Sequence, residues 1–129
     1  MALRAIAVSL LLCGCATVDE PTASNLGAYC TPENAYRLGS QSRAYFGVCP
    51  KDTEAAFLAG LQRGRQYRAN PPQVMPYYQR MDELEKQLLA ATTEGERERL
   101  RERLRDAEWW AIHIVTSPGT YSGGGTGRD

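Results

Sequence analysis

The chain has 129 residues, and its 15 basic side chains are balanced by 15 acidic ones. Nucleic-acid binding needs unbalanced positive charge, so this balance argues against that class of partner. Between Arg97 and Arg105 the arginines alternate with acidic residues, a pattern that predicts a solvated, salt-bridged helix surface.

The amino end has the features of a bacterial lipoprotein signal. Arg4 precedes an apolar run over residues 5–12, and Leu12-Cys13-Gly14-Cys15 follows. The run is about half of the ~20 residues that a membrane span needs, and it matches the apolar region of a secretory signal. We expect residues 1–14 to be the signal peptide and Cys15 to become the lipidated first residue. An ordinary signal peptide or an uncleaved anchor is the alternative.

The expected lipid determines the expected cellular location of the protein. Two or more acyl chains give stable membrane residence, so a membrane is the first predicted partner. Ala16 stands where an Asp favours inner-membrane retention in Gram-negative lipoproteins. The sequence therefore predicts an outer-membrane protein facing the periplasm, with the inner membrane or the cell surface as the less favoured locations.

Two further cysteines, Cys30 and Cys49, remain after this assignment. An even pair in an oxidising compartment predicts one disulfide, whose closed loop contributes roughly 3 kcal/mol in the chain-entropy model. The alternative is a metal site, but His113 is the single histidine and no CxxC spacing occurs. We therefore expect neither a metal nor a cofactor.

The segment after the lipid has no periodicity. Residues 16–26 are polar and mixed, so residues 15–28 are predicted to be a flexible tether. Residues 29–70 form the first helical unit. In it Thr31 is the candidate N-cap, Pro32 takes the first helical position, and Gly39 is expected to end this short helix.

A longer helix is predicted from Pro50 to about Tyr67, with acidic residues in its first turn. Ala56, Gly60 and Gly64 fall on one stripe of this helix. Glycine inside a helix costs about 1 kcal/mol relative to alanine, so the two glycines indicate a close approach of another backbone.

A helical hairpin is predicted over residues 71–115. Apolar side chains recur at alternating spacings of three and four on both sides of a short polar loop, and Thr93 with Glu96 has capping-box spacing. The repeating positions are Tyr77, Met81, Leu84, Leu88 and Ala91, then Leu100, Leu104, Ala107, Ala111 and Ile114. Residues 116–129 are rich in Gly, Ser and Thr and are predicted to be a disordered tail.

Aromatic residues of the hairpin form the candidate interaction surface: Trp109, Trp110, Tyr77 and Tyr78. Adjacent helical positions lie ~100° apart, so Trp109 and Trp110 do not both fit one narrow seam. At least one of them is expected to pack on the first unit or to bind a protein partner. Packing in the core is the favoured interpretation of the tryptophan pair, and binding of a protein partner is the alternative.

No motif for catalysis is present, and His113 lies in an apolar stretch where a structural role is the simpler interpretation. We therefore expect that the protein is not an enzyme. The rival hypothesis is a ligand-binding or enzymatic module around Tyr29, Tyr36 and Tyr45. It requires a cavity of about 300 Å³ or more with convergent polar groups near those tyrosines.

Several short motifs carry a resemblance to a known family. They are Tyr29-Cys30, residues 34–39 (NAYRLG), residues 45–50 (YFGVCP) and residues 57–60 (FLAG). Together they resemble a family of small bacterial lipoproteins catalogued as domain of unknown function 2799. Longer members carry an upstream part that is missing between Cys15 and Tyr29, so the chain is similar to a shortened member. The resemblance implies an envelope lipoprotein with paired Cys30 and Cys49, and no reaction.

The sequence as a whole predicts a mainly α protein, with a disulfide-closed helical unit followed by an antiparallel helical hairpin. The expected role is structural or adaptor-like, through binding of an envelope protein partner. Self-association of the hairpin into a four-helix arrangement is the alternative.

Overall fold

The computed structural model describes residues 17–69 and 71–117, which form helices and no strands. The helices are α1 (Leu26–Tyr29), α2 (Pro32–Ser40), α3 (Lys51–Tyr67), α4 (Met75–Ala90) and α5 (Glu94–Thr116), with a 3-10 turn at Pro72–Val74 before α4. The mainly α architecture is confirmed. The predicted signal peptide and Cys15 lie outside the described residues, as do residues 118–129 of the predicted tail. Thr116 ends α5 instead of belonging to the tail.

Helix α2 begins as predicted but ends later. The Thr31 hydroxyl accepts a hydrogen bond from the Asn34 N–H at 3.1 Å, and Pro32 takes the first helical position. The helix then continues through Gly39 to Ser40, so the expected stop at Gly39 is wrong. A Cβ at Gly39 would collide with the Leu61 carbonyl oxygen of α3. This glycine therefore permits close helix packing and does not terminate the helix.

The glycines of α3 lie on the same contact. A Cβ at Gly60 would lie 2.7 Å from the Pro32 carbonyl oxygen, and one at Gly64 would lie 2.8 Å from the Ser40 nitrogen. Real Cβ atoms do not approach other atoms so closely, and packed interiors leave little space for adjustment. The predicted backbone approach is confirmed, with α2 as the partner of α3.

The first unit has its own aromatic core, closed by the predicted disulfide. Cys30 and Cys49 are bonded with an S–S distance of 2.11 Å and a Cα–Cα distance of 5.8 Å. Phe57 of α3 lies between two tyrosine rings, with centroid distances of 5.4 Å to Tyr29 and 5.2 Å to Tyr45. Both tyrosines are buried and therefore belong to the core.

Helices α4 and α5 form the predicted hairpin. The Thr93 hydroxyl caps α5 by accepting from the Glu96 N–H at 3.2 Å. Most of the predicted repeating positions are buried between the helices, namely Met81, Leu84, Leu88, Leu100, Leu104, Ala107, Ala111 and Ile114. Because this apolar seam is filled within the chain, a four-helix association would have to use a different surface.

The segment before α1 differs from the predicted flexible tether. The Val18 side chain packs against the core of the first unit, and the Val18 carbonyl oxygen accepts from Asn34 Nδ2 at 2.9 Å. Asp19 forms an ion pair with Arg37 at 2.7 Å. These contacts join residues far apart along the chain, which is why the local composition did not predict them. Residues 18–28 are therefore part of the folded unit.

Candidate functional site

The first unit and the hairpin meet at a buried ion pair. Arg65 of α3 and Glu85 of α4 are 2% and 0% exposed, and Arg65 Nη1 donates to Glu85 Oε1 at 2.8 Å. The second guanidinium nitrogen donates to Glu85 Oε2 and to the Arg43 carbonyl oxygen, and Nη1 also reaches Asp82. Burial acts to lower the pKa of Arg65, but the carboxylates of Glu85 and Asp82 outweigh it and raise the pKa. Arg65 therefore stays charged in the interior, while burial raises the pKa of Glu85 against the opposing effect of Arg65.

Tyr45 extends this network into the first unit. Its backbone N–H donates to Glu85 Oε2 at 2.9 Å, and its hydroxyl donates to Glu54 Oε2 at 2.6 Å. The same hydroxyl accepts from the Cys49 N–H at 3.0 Å. Burial and the bond to Glu54 raise the pKa of Tyr45 above its usual range. The Tyr45 hydroxyl and both carboxylates are therefore satisfied in this network, whereas the buried Arg65 Nε has no hydrogen-bond partner.

Helix α5 holds the other side of the loop that joins α2 to α3. Glu108 accepts from the Ala44 N–H at 2.8 Å. Arg97 Nη2 donates to the Gly47 carbonyl oxygen at 3.1 Å, and Arg101 Nε donates to the Phe46 carbonyl oxygen at 3.0 Å. The backbone groups of this loop are therefore satisfied by side chains of the hairpin.

The alternating charges of α5 thus have two roles. Arg101 also pairs with Glu94 at 2.8 Å and with Glu98 at 3.2 Å, which agrees with the predicted salt-bridged surface. Arg97 and Arg101 depart from the predicted solvated surface, because both also contact the first unit. We call the contacts of Arg65, Glu85, Glu108, Arg97 and Arg101 with this loop the joint.

Three of the four predicted surface residues come together near the end of the hairpin. The Tyr77 and Trp110 rings stack with centroids 6.3 Å apart, and Trp109 meets the Trp110 ring edge-on at 4.8 Å. His113 stacks on Trp109 at 3.7 Å, and its Nδ1–H donates to the Trp109 carbonyl oxygen at 2.9 Å. Trp109 remains 46% exposed. We call Tyr77, Trp109, Trp110 and His113 the aromatic surface.

Tyr78 is not part of this surface, so its prediction as an interaction residue is wrong. It is 3% exposed, its hydroxyl lies 2.7 Å from Ser42 Oγ, and it donates to the Arg68 carbonyl oxygen at 3.2 Å. Adjacent helical residues face directions ~100° apart. Tyr77 therefore lies beside Trp110, while Tyr78 faces the first unit.

The structure separates the three tyrosines of the rival hypothesis. Tyr29 and Tyr45 are buried against Phe57, and only Tyr36 of the three is exposed. Tyr36 lines an open groove of about 310 Å³ together with Pro32, Glu33 and Arg63. Within residues 17–69 and 71–117, no group of three or more His, Cys, Asp or Glu side chains has an arrangement that could hold a metal ion.

The fold defines a small, disulfide-closed helical protein with an attached hairpin. The model of a family described as a protein of unknown function (DUF2799) matches residues 23–66. This match confirms the resemblance to the DUF2799 family over residues 23–66. The match covers α1, α2, the disulfide and nearly all of α3, and it ends before the hairpin. No curated protein and no solved structure matches the chain. None of the helices among the described residues is long and apolar enough to cross a membrane.

Proposed function

We propose that this chain is a lipid-anchored envelope protein with a structural or adaptor role and no catalytic activity. In this proposal Cys15 carries the lipid, the protein lies at the periplasmic face of the outer membrane, and the aromatic surface binds another envelope protein. The observation that carries the proposal is the exposed, ordered Trp109, which stacks on His113 and contacts Trp110.

The aromatic surface is suited to protein binding for two reasons. Tryptophan and tyrosine are enriched among the residues that dominate protein–protein binding energy. Their stacking and the bond from His113 to the Trp109 carbonyl oxygen already restrict these side chains. Binding therefore costs less conformational entropy than it would with freely rotating side chains.

The proposed location in the cell envelope is supported by the amino-terminal sequence and by the disulfide. Leu12-Cys13-Gly14-Cys15 follows an apolar run of signal-peptide length. The Cys30–Cys49 bond is of a kind that persists in oxidising compartments such as the periplasm. Both observations support export, and the first supports lipidation.

The proposed absence of catalysis is supported by the two buried carboxylates, since both are engaged in structural hydrogen bonds. Glu85 is bonded to Arg65 and to the Tyr45 N–H, and Glu54 accepts from the Tyr45 hydroxyl. Both carboxylates are buried, Glu54 at 4% and Glu85 at 0% exposure. Each is accounted for by the joint or by the core of the first unit.

The proposal is tested on the full chain expressed in a bacterium. Mass spectrometry of the membrane-associated protein is expected to show diacylglycerol on Cys15 and no residues before it. A photo-cross-linking residue at exposed Thr116, two helical turns after Trp109, is expected to give a defined protein adduct.

The matched variants are Trp109→Ala and Tyr67→Ala, since Tyr67 is an aromatic residue outside the surface and 74% exposed. Trp109→Ala is expected to abolish the adduct, and Tyr67→Ala to leave it unchanged. A bare Cys15, or an adduct of equal yield in both variants, would contradict the proposal.

The alternative function is binding of a small ligand in the groove at Tyr36. Its supporting observation is the pairing of an aromatic wall with opposite charges, Glu33 and Arg63, in a volume of about 310 Å³. Such a groove suits a small zwitterion. Titration of the protein with a dipeptide, followed by NMR, would shift Tyr36 resonances in the wild type and not in Arg63→Gln. Absence of such shifts would remove this alternative.

A further inference from the structure

The segment just after the predicted lipid is attached to the folded unit at successive residues. Val18 bonds to Asn34 through both its carbonyl oxygen, at 2.9 Å, and its N–H, at 3.4 Å. Arg37 Nη2 donates to the same Val18 oxygen at 2.8 Å, and its Nη1 bonds to Asp19 at 2.7 Å. We call residues 17–20 the strap.

The strap is also joined to α5, the helix that carries Trp109. Glu20 pairs with Arg43 Nη2 at 3.2 Å, and Arg43 Nε pairs with Glu108 at the same distance. One guanidinium therefore joins the strap to α5, and Glu108 directly precedes Trp109. The end of the strap is therefore tied to α5 at the residue before Trp109.

The strap sets how far the folded unit can lie from the lipid. Only Ala16 separates Cys15 from Thr17, so these two residues are at most about 7 Å apart. The flexible tether predicted for residues 15–28 would instead have an r.m.s. length of about 20 Å and an extended length above 40 Å. A strapped chain therefore keeps the unit at the bilayer surface.

We propose that the strap holds the folded unit against the bilayer, so that the protein bound by the aromatic surface is embedded in the same membrane. This inference rests on the proposed function, since it requires both the lipid on Cys15 and a protein partner. A partner standing farther from the bilayer is out of reach of a surface attached in this way. An integral protein presents its membrane–water boundary at the right height.

The experiment compares the photo-adduct formed from position 116 in chains with different attachments. One variant carries twelve Gly and Ser residues between Ala16 and Thr17. Since effective concentration falls steeply once a linker exceeds the span of its two sites, this insertion is expected to lower the adduct yield about tenfold. Asp19→Ala/Glu20→Ala, which releases two exposed strap contacts, is expected to lower the yield by a smaller factor. A third chain has a cleavable leader and no lipid, and it is expected to form no adduct.

The outcomes separate this inference from the proposed function. An adduct with an integral membrane protein, decreasing from the native chain to the insertion variant, is the expected result. An adduct with a non-integral protein, or a yield that is independent of the insertion, would overturn the inference and leave the adaptor role standing. An adduct with phospholipid would make the bilayer itself the partner and overturn the inference. No adduct from the lipidated native chain would overturn the adaptor role itself.

Discussion

The DUF2799 segment and the hairpin reach a packed core in different ways. The segment depends on individual residues: glycines where α2 meets α3, a disulfide, and Phe57 between two buried tyrosines. The hairpin depends on an apolar seam built from regularly spaced residues, among them Leu84, Leu88, Leu100 and Leu104. The family match, over residues 23–66, coincides with the first kind of core. The second kind is shared by many helical pairs, and the family match stops before it.

The joint shows that the two regions are not energetically separate. The loop between α2 and α3 belongs to the first unit, yet its backbone bonds to Glu85, Glu108, Arg97 and Arg101 of the hairpin. Removing the hairpin would leave those backbone groups without their bonds. It would also expose to water the apolar surface that Ala44 and Phe46 bury against the hairpin core. We therefore expect both regions to unfold together.

The largest effect is expected at the joint. Arg65→Met leaves Glu85 buried without its cation, which is expected to lower the free energy of unfolding by about 3–5 kcal/mol. Urea denaturation followed by circular dichroism measures the loss. The double variant Arg65→Met/Glu85→Leu removes both charges and is expected to recover much of it. A single variant as stable as the wild type would show that the joint does not couple the regions.

The disulfide is expected to have the next largest effect. Replacing both Cys30 and Cys49 by alanine frees a loop with a sequence separation of 19, at an expected cost of roughly 3 kcal/mol. If the joint couples the regions, the variant still unfolds in one transition, with hairpin and first unit melting together. Two separate transitions in calorimetry would instead show independent regions.

The glycine contacts allow a matched comparison. Gly64→Ala places a methyl group against the backbone of α2, and overpacking of this kind is expected to cost about 1–3 kcal/mol. Gly95 is the control, because a Cβ there meets nothing within 4 Å. Gly95→Ala is expected to be neutral or stabilising by up to about 1 kcal/mol. Equal melting temperatures for the two variants would argue against close packing of α2 on α3.

The aromatic core of the first unit predicts sensitivity to alkali. Burial raises the pKa of Tyr29 to about 12, above its ordinary value of 10.0. The unfolded chain therefore loses this proton first, so the contribution of Tyr29 is complete below pH 10 and declines as the pH rises toward 12. The expected loss is about 1.4 kcal/mol per pH unit. Tyr29→Phe should show a shallower decline in urea titrations, and an identical slope would contradict this assignment.

The sequence predicts what is local or periodic. The hairpin follows from apolar spacing, the α2 start from Thr31 and Pro32, and the disulfide from the count of cysteines left after the signal. The strap was missed because its contacts join Val18 to Asn34 across 16 positions, and no local pattern records such a pairing.

The sequence does not predict the joint or the burial of Tyr78, for a related reason. Arg65 lies four residues after Leu61, and Glu85 four after Met81, so each charge occupies an apolar stripe of its helix. That position is the available signal, but charged residues on helices are ordinarily solvated, so the position alone does not predict a buried pair. Tyr78 is covered by Ser42 and Arg68 of the other unit, which a pattern within the hairpin does not reveal.

The central claim is that the aromatic surface binds the partner while the joint stabilises the fold. Cross-linking from position 116 and thermal unfolding, measured on the same preparations, test this claim most directly. Trp109→Ala is expected to remove the protein adduct while leaving the melting temperature near that of the wild type, because nearly half of the Trp109 side chain is already exposed. Arg65→Met is expected to lower the melting temperature sharply. An undiminished adduct from folded, lipidated Trp109→Ala protein would contradict the assignment of partner binding to this surface.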